Sequence, residues 1–248
     1  MTTNVILINN KGDAKKEELV LTSVVPVHNE EQLLEEQTSK LVEYLLKLGK
    51  KFEILFVENG SSDATLRVIN NLRKRFDFIR LVQLEKADYS TAVIEGIKAA
   101  KGKFTIVSGI DFVDLEVIGR CFKALQSSDI VICSKNKGSD RRSLISRMIN
   151  LTYNTYVRMF FDLKHSDTEG YQGYGTEKIQ KIIADVHTKA HLCNLWILVK
   201  AKKANLTVSE VPLIVYEKRR SKFMRITRLP YLIAITLVEF IKLKCKGY

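Results

Sequence analysis

Cysteine is scarce and unpatterned. Cys121, Cys133, Cys193 and Cys245 are the only four, with no CxxC pair and no histidine partner at metal-ligand spacing. That argues against a disulfide framework or a zinc site and fits a reducing, cytoplasmic setting. Long apolar runs are missing too. The longest near the end, Leu229 to Lys244, carries Glu239 and falls short of the ~20 residues that span a bilayer. The opening stretch MTTNVILINNKGDAKKEE has no continuous apolar core followed by a small-residue cleavage site, so the mature chain is expected to begin here. Repeats and low-complexity tracts are absent, and His28, His165, His187 and His191 form no constellation.

What is present is a folded composition. The chain has 248 residues, 46% hydrophobic and 27% charged, enough for one large domain or two small ones. Its net charge of +12 and pI near 9.5 call for an anionic partner: nucleic acid, phosphorylated small molecules or an acidic lipid surface. Nucleic acid rests on charge alone. No aromatic-interleaved basic stripe or recognisable module supports it, and no nucleic-acid partner is expected.

Strand and helix signals alternate along the chain. Leu19 to Val25, Phe52 to Val57, Ile79 to Leu84, Phe104 to Val107 and Asp129 to Cys133 read as buried strands. Between them lie helical spacings over Glu30 to Leu48, Asp63 to Phe76 with Ser61 or Ser62 as its cap, Ser90 to Ala100, and Leu115 to Leu125. Such alternation predicts right-handed βαβ units, a mostly parallel central sheet and helices on both faces. The rhythm breaks near Lys135 to Asp140, and long amphipathic stretches follow.

Three loops past strand ends carry polar residues: Pro26 to Glu30, Glu58 to Asp63, and Gly109 to Asp111. In a parallel sheet all three open on the edge at the strands' carboxyl ends, where ligands bind. A nucleotide site is the leading reading.

The stretches VVPVHNEE, ILFVENGSSDAT, ADYSTAVIEGIKAAKGKF, the Asp111 loop, DIVICSKN, DRRSLISR, SDTEG and SEVPLIVYEKRRSKF follow one another over residues 19 to 223. In that order they resemble a family 2 glycosyltransferase of the GT-A fold, most like the polyprenyl (dolichyl) phosphate sugar transferases of the dolichol-phosphate mannose synthase type. The resemblance implies an α/β GT-A domain over 19–223, with an N-terminal extension over 1–18 and an amphipathic C-terminal segment over 224–248. It implies an inverting transfer of a hexose from a GDP- or UDP-sugar to a polyprenyl phosphate. Pro26, His28, Glu30, Glu58, Gly60 and Lys86 are the implied nucleotide contacts. Asp111 is the implied metal and catalytic carboxylate, with Asp114 beside it, for Mg²⁺ or Mn²⁺. Arg142, Arg219 and Lys222 are the implied catalytic cations, and Lys135, Arg142, Asp167, Glu169 and Arg220 the implied phosphate or acceptor contacts. Carboxylates suit a hard cation, and guanidinium groups pair bidentately with phosphate.

The pattern departs from the family at one place. Gly109 stands where the DxD motif has its first aspartate, giving GID, and Val113 replaces a glutamine found in many relatives. One metal carboxylate is therefore missing, and the alternatives are a degenerate GT-A protein that binds nucleotide or a partner without turnover, or a transferase acting on a different acceptor. Each residue also has a plainer role open to it: Asp111 and Asp114 as helix caps, Glu58 as a turn former, the lysines as solvated charges, and Tyr89, Tyr171 and Tyr174 as core packing rather than walls for the sugar. Ser143 to Leu163 and Leu229 to Leu243 are apolar with basic edges, as interfacial helices are. The expectation is a protein peripheral to the cytoplasmic leaflet, with packing against the domain, an integral-membrane partner or a second copy as the competing uses of those faces.

Overall fold

Leu21–Val27 has no exposed member, and a strand buried on both faces belongs in the middle of a sheet. The computed structural model places it there and describes residues 18–111, 114–141, 144–168, 170–184, 186, 192–216, 237–238, 240–242 and 245. In chain order the elements are β1 (Leu21–Val27), α1 (Leu34–Lys47), β2 (Phe52–Asn59), α2 (Thr65–Arg75), β3 (Ile79–Leu84), α3 (Tyr89–Ala99), β4 (Phe104–Val107) and α4 (Glu116–Ala124). Then follow β5 (Ile130–Arg141), α5 (Leu144–Phe161), β6 (Tyr171–Gly175), α6 (Thr176–Ile183), α7 (Cys193–Lys203) and β7 (Val208–Tyr216).

The seven strands lie in the order β3-β2-β1-β4-β6-β5-β7. Strand β6 runs antiparallel to β4 and β5, and every other pairing is parallel. Alternate residues feed two cores. Leu21, Val25, Ile54 and Phe56 pack with Leu41 and Leu45 of α1, Ile69 of α2 and Ile118 of α4. Val24, Leu55 and Val57 pack on the other face with Val93 and Ile97 of α3, Ile179 of α6 and Trp196 of α7. Helices therefore cover both faces, as the alternating pattern predicts.

Several local readings change. Neither Ser61 nor Ser62 caps the second helix. Asp63 Oδ1 accepts the Thr65 N–H at 2.9 Å instead, while Ser61 Oγ accepts from the backbone of Asn29. The third helix starts at Tyr89 because Asp88 Oδ1 accepts the Thr91 N–H at 2.7 Å. The break expected near Lys135 to Asp140 is a continuation of β5, whose polar outer half pairs with β7 and ends with Arg141 beside Tyr216. Between Ser134 and Ser139 the register shifts, and a Cβ on Gly138 would lie 2.0 Å from the Leu213 carbonyl oxygen. Only glycine permits that approach. Strands β6 and β7 extend the sheet past the point where the sequence rhythm fades.

Candidate active site

Because β5 runs parallel to β1, β2, β3 and β4, and β7 parallel to β5, the carboxyl ends of six strands share one rim, where β6 enters at Tyr171. The first two loops on it are cross-braced. Asn29, at φ 55°, donates its N–H to Ser61 Oγ (3.0 Å) and accepts the Ser62 N–H on its side-chain oxygen (2.8 Å). Glu30 N–H reaches Thr65 Oγ1 at 2.8 Å, and Ala64 N–H reaches Glu31 Oε2 at 2.8 Å. A carbonyl only accepts, so the 2.8 Å contact from His28 Nδ1 to Asn59 O puts the proton on Nδ1. That leaves Nε2 to accept from Asn29 Nδ2 at 3.1 Å, so the ring is held on both sides. Asn59 Oδ1 in turn accepts the Asp88 N–H at 2.8 Å. Gly60 has φ 64°, and a Cβ there would sit 2.9 Å from Ala87 N and 3.2 Å from the Lys86 carbonyl carbon.

The structure thus gathers Pro26, His28, Glu30, Glu58, Gly60 and Lys86 in three interlocked loops. Glu58 is 2% exposed, and its Oε1 accepts the Ser61 N–H at 2.6 Å, so one carboxylate oxygen holds the turn together. Asn59 was expected, with Glu58, to shape a turn or touch ligand, but Asn29 and Asp88 were not singled out in the sequence. Side-chain bonds across 29 to 33 positions leave no short motif.

Asp111 lies exposed at the mouth of β4, next to Tyr171. A Cβ on Gly109 would meet Asp111 Oδ1 at 2.8 Å and Tyr171 Oη at 3.3 Å. Burial first, then the Asp111 charge, push the Tyr171 phenol far above its usual 10, partly offset by a hydrogen bond from the Gly109 backbone. Asp114 is placed differently. Its carboxylate pairs with the Arg120 guanidinium, is 8% exposed, and accepts the Ile214 N–H of β7 at 3.4 Å. Its backbone oxygen, not its side chain, receives Val117 N–H at the start of α4. Among the described residues no three His, Cys, Asp or Glu side chains gather as a metal site.

Lys135 and Asp167 come together, but with each other. Lys135 Nζ and its own backbone N–H both reach Asp167 Oδ2, at 3.1 and 3.0 Å, with the side chains 7% and 0% exposed. Behind them, Glu210 accepts from Ser166 N (2.6 Å) and Oγ (2.9 Å) and pairs with Lys137 at 3.0 Å. Tyr174 is core, bonded to Gln172 Oε1 at 2.7 Å. Arg142, Glu169, Arg219, Arg220 and Lys222 lie outside the described residues, as do residues 1–17 of the N-terminal extension.

On α5, Leu144 (73%), Met148, Leu151, Met159 (80%) and Phe160 are exposed, as are Leu237, Val238 and Ile241 near the C-terminus. Phe240 turns inward, stacked on Phe161 at 5.2 Å and edge-on to Tyr156 at 5.2 Å. A shallow groove of about 430 Å³ lies between Tyr156, Phe160, Leu237 and Ile241. Among the described residues no helix is long and apolar enough to cross a membrane.

A mixed sheet between two helical layers, with polar loops and an acidic turn at one rim, defines a nucleotide-sugar transferase type of fold, the GT-A arrangement. Residues 22–183 match the family described as Glycosyl transferase family 2, and the chain belongs to it. It is 26% identical over 207 residues to a dolichyl-phosphate beta-glucosyltransferase of Trichomonas vaginalis, covering 77% of this chain and 64% of that one. With the dolichyl-phosphate beta-glucosyltransferase of Saccharomyces cerevisiae it shares 23% over 232 residues, 83% of this chain and 70% of the relative. The chain thus spans about two thirds of the length of these relatives. In fold it is similar to glucosyl-3-phosphoglycerate synthase from Mycobacterium tuberculosis in complex with Mn²⁺, UDP and phosphoglyceric acid. That match has a TM-score of 0.66 at 14% identity, over 90% of this chain and 78% of the other.

Proposed function

We propose that the chain transfers a hexose from a UDP- or GDP-sugar to a polyprenyl phosphate, with 19–223 as the catalytic unit. One observation carries the reading: Asp111 and the braced loops at Pro26–Glu30 and Glu58–Asp63 open on a single rim of a family 2 domain. The dolichyl-phosphate relatives support the acceptor class.

The reaction that fits is an inverting displacement. A phosphate oxygen of the acceptor bonds to the anomeric carbon as the bond to the donor diphosphate breaks, and the diphosphate leaves with the electron pair. A lipid phosphate is already ionised near neutral pH, so no base has to remove a proton. This chain's task is to hold the donor in line and favour charge on the leaving group. Arg142, Arg219 and Lys222 are assigned to that charge from their sequence positions, Lys222 just past the end of β7. Mg²⁺ or Mn²⁺, when bound, supplies further positive charge at the diphosphate. Asp111 is the carboxylate for it. A single carboxylate fits such an ion because Mg²⁺ commonly keeps several waters alongside substrate phosphates. Asp114, already engaged by Arg120, is not assigned to it.

The exposed apolar row of α5, flanked by Arg147 and Arg158, with Leu237, Val238 and Ile241, supports a setting at the surface of the cytoplasmic leaflet, where a polyprenyl tail resides. Incubating the protein with polyprenyl phosphate and a panel of UDP- and GDP-sugars tests the proposal. Transfer from one donor is expected, with Asp111→Ala lowering it by roughly 10²-fold or more. Nucleotide binding without transfer to any polyprenyl phosphate would overturn it in favour of a binding protein.

A further inference from the structure

The notch above Gly109 is filled by Asp111 Oδ1 and Tyr171 Oη, the atoms that a side chain at position 109 would displace. Tyr171, the first residue of β6, stands against the Gly109 backbone, so its phenol oxygen lies where the side chain of an aspartate at 109 would begin. A phenol has a proton of its own to donate. The remaining acidic side chain of the loop, Asp114, is tied to Arg120 and to the backbone of β7.

We infer that Tyr171 is a diphosphate-binding residue that takes the place of the absent first carboxylate, making donor binding only weakly dependent on a divalent cation. The inference rests on a nucleotide-sugar donor as proposed above. Its physical basis is charge. A diphosphate beside two carboxylates is repelled unless a cation intervenes, whereas a diphosphate beside one carboxylate and a phenol meets one negative charge fewer and gains a hydrogen-bond donor. Gly109 is then required by the arrangement: an aspartate there would crowd the Tyr171 hydroxyl and restore the charge that demands a metal.

Calorimetric titration of UDP and of GDP into wild type, Tyr171→Phe, Gly109→Ala and Gly109→Asp, each in EDTA and in Mn²⁺, tests this. With whichever nucleotide binds wild type more tightly, affinity is expected to differ by less than about five-fold between the two conditions. Tyr171→Phe is expected to lose about ten-fold or more in EDTA, the usual size of one hydrogen bond to a charged group. Gly109→Asp is expected to bind only with Mn²⁺, and Gly109→Ala to keep the wild-type metal response, which separates added charge from added bulk. Wild-type binding that vanishes in EDTA, or Tyr171→Phe binding like wild type there, would overturn the inference and leave the transferase reading standing. Wild type that binds neither nucleotide in either condition would overturn both.

Discussion

Replacing Asp167 with alanine removes the carboxylate that pairs with the ammonium of Lys135, a lysine with 7% exposure, along with the acceptor for the Lys135 backbone N–H. Removing one partner of a buried pair costs about 3–5 kcal/mol, because the other is left charged and dry. Burial is near complete on both sides, so solvent does little to soften that figure. Lys135→Met should cost less, since Asp167 keeps the backbone N–H donor. The double variant Lys135→Met/Asp167→Asn should recover more than half of the Asp167→Ala loss, since neither charge is then stranded. Urea unfolding followed by far-ultraviolet circular dichroism reads this directly. At a slope of about 3 kcal/mol per molar, Asp167→Ala lowers the midpoint by roughly 1–1.7 M. The sequence pointed instead to Lys135 as a phosphate cation. Lys135→Met with a wild-type midpoint but a raised KM for polyprenyl phosphate would refute the structural reading and restore that one.

Two further outcomes follow from the same geometry. Burial works to raise the Glu210 carboxyl pKa, but the Lys137 ammonium and the Ser166 donors outweigh it and hold it below the usual 4.5. A depressed folded value means stability that is present above the unfolded pKa and lost as pH falls through the folded one. The stability gap between wild type and Glu210→Gln should therefore stay level from neutral pH to about 5 and close below about 4.5; a gap unchanged down to pH 3 would contradict it. Gly60→Ala puts a Cβ 2.9 Å from Ala87 N at φ 64°, a strain of about 1–3 kcal/mol. Its melting temperature should fall by roughly 3–8 °C and its nucleotide affinity should weaken, and an unshifted melting curve would show that the turn relaxes at no cost.

The front half of the fold was legible because β1, β2 and β4 are buried on both faces and read as short stretches rich in apolar and β-branched residues. The back half was not. Strand β6 has two glycines among five residues, and outer β5 carries Lys135, Asn136, Lys137 and Asp140 where a buried strand would carry valine or isoleucine. That outer stretch is strand because β7 pairs with it on both sides of the register shift, at Ser134 and again from Ser139 to Arg141, a contact some 75 positions away. The candidate site divides the same way. Loops at strand ends announced Asp111, Glu58 and His28, since topology alone places them on the rim. Charge types announced Asp114 and Lys135 as well, but the guanidinium of Arg120 and the carboxylate of Asp167 claim them first. Residue type states which bonds a group can make, and only the packing states which are already made.

The pairing of Arg141 with Tyr216 has a consequence for how this molecule could be retuned. The outer stretches of β5 and β7 end side by side at Arg141 and Tyr216, each followed in the sequence by basic residues, Arg142 after the one and Lys218 after the other. Their relative reach is set by the few residues between Ser134 and Ser139, which act as a spacer pinned where Gly138 meets Leu213. Adding or deleting a pair of residues in that spacer would keep every side chain on its own face of the ladder while sliding one stretch about 7 Å past the other. The offset between the two strand ends at that rim is thus open to change by length alone, with no exchange of side chains.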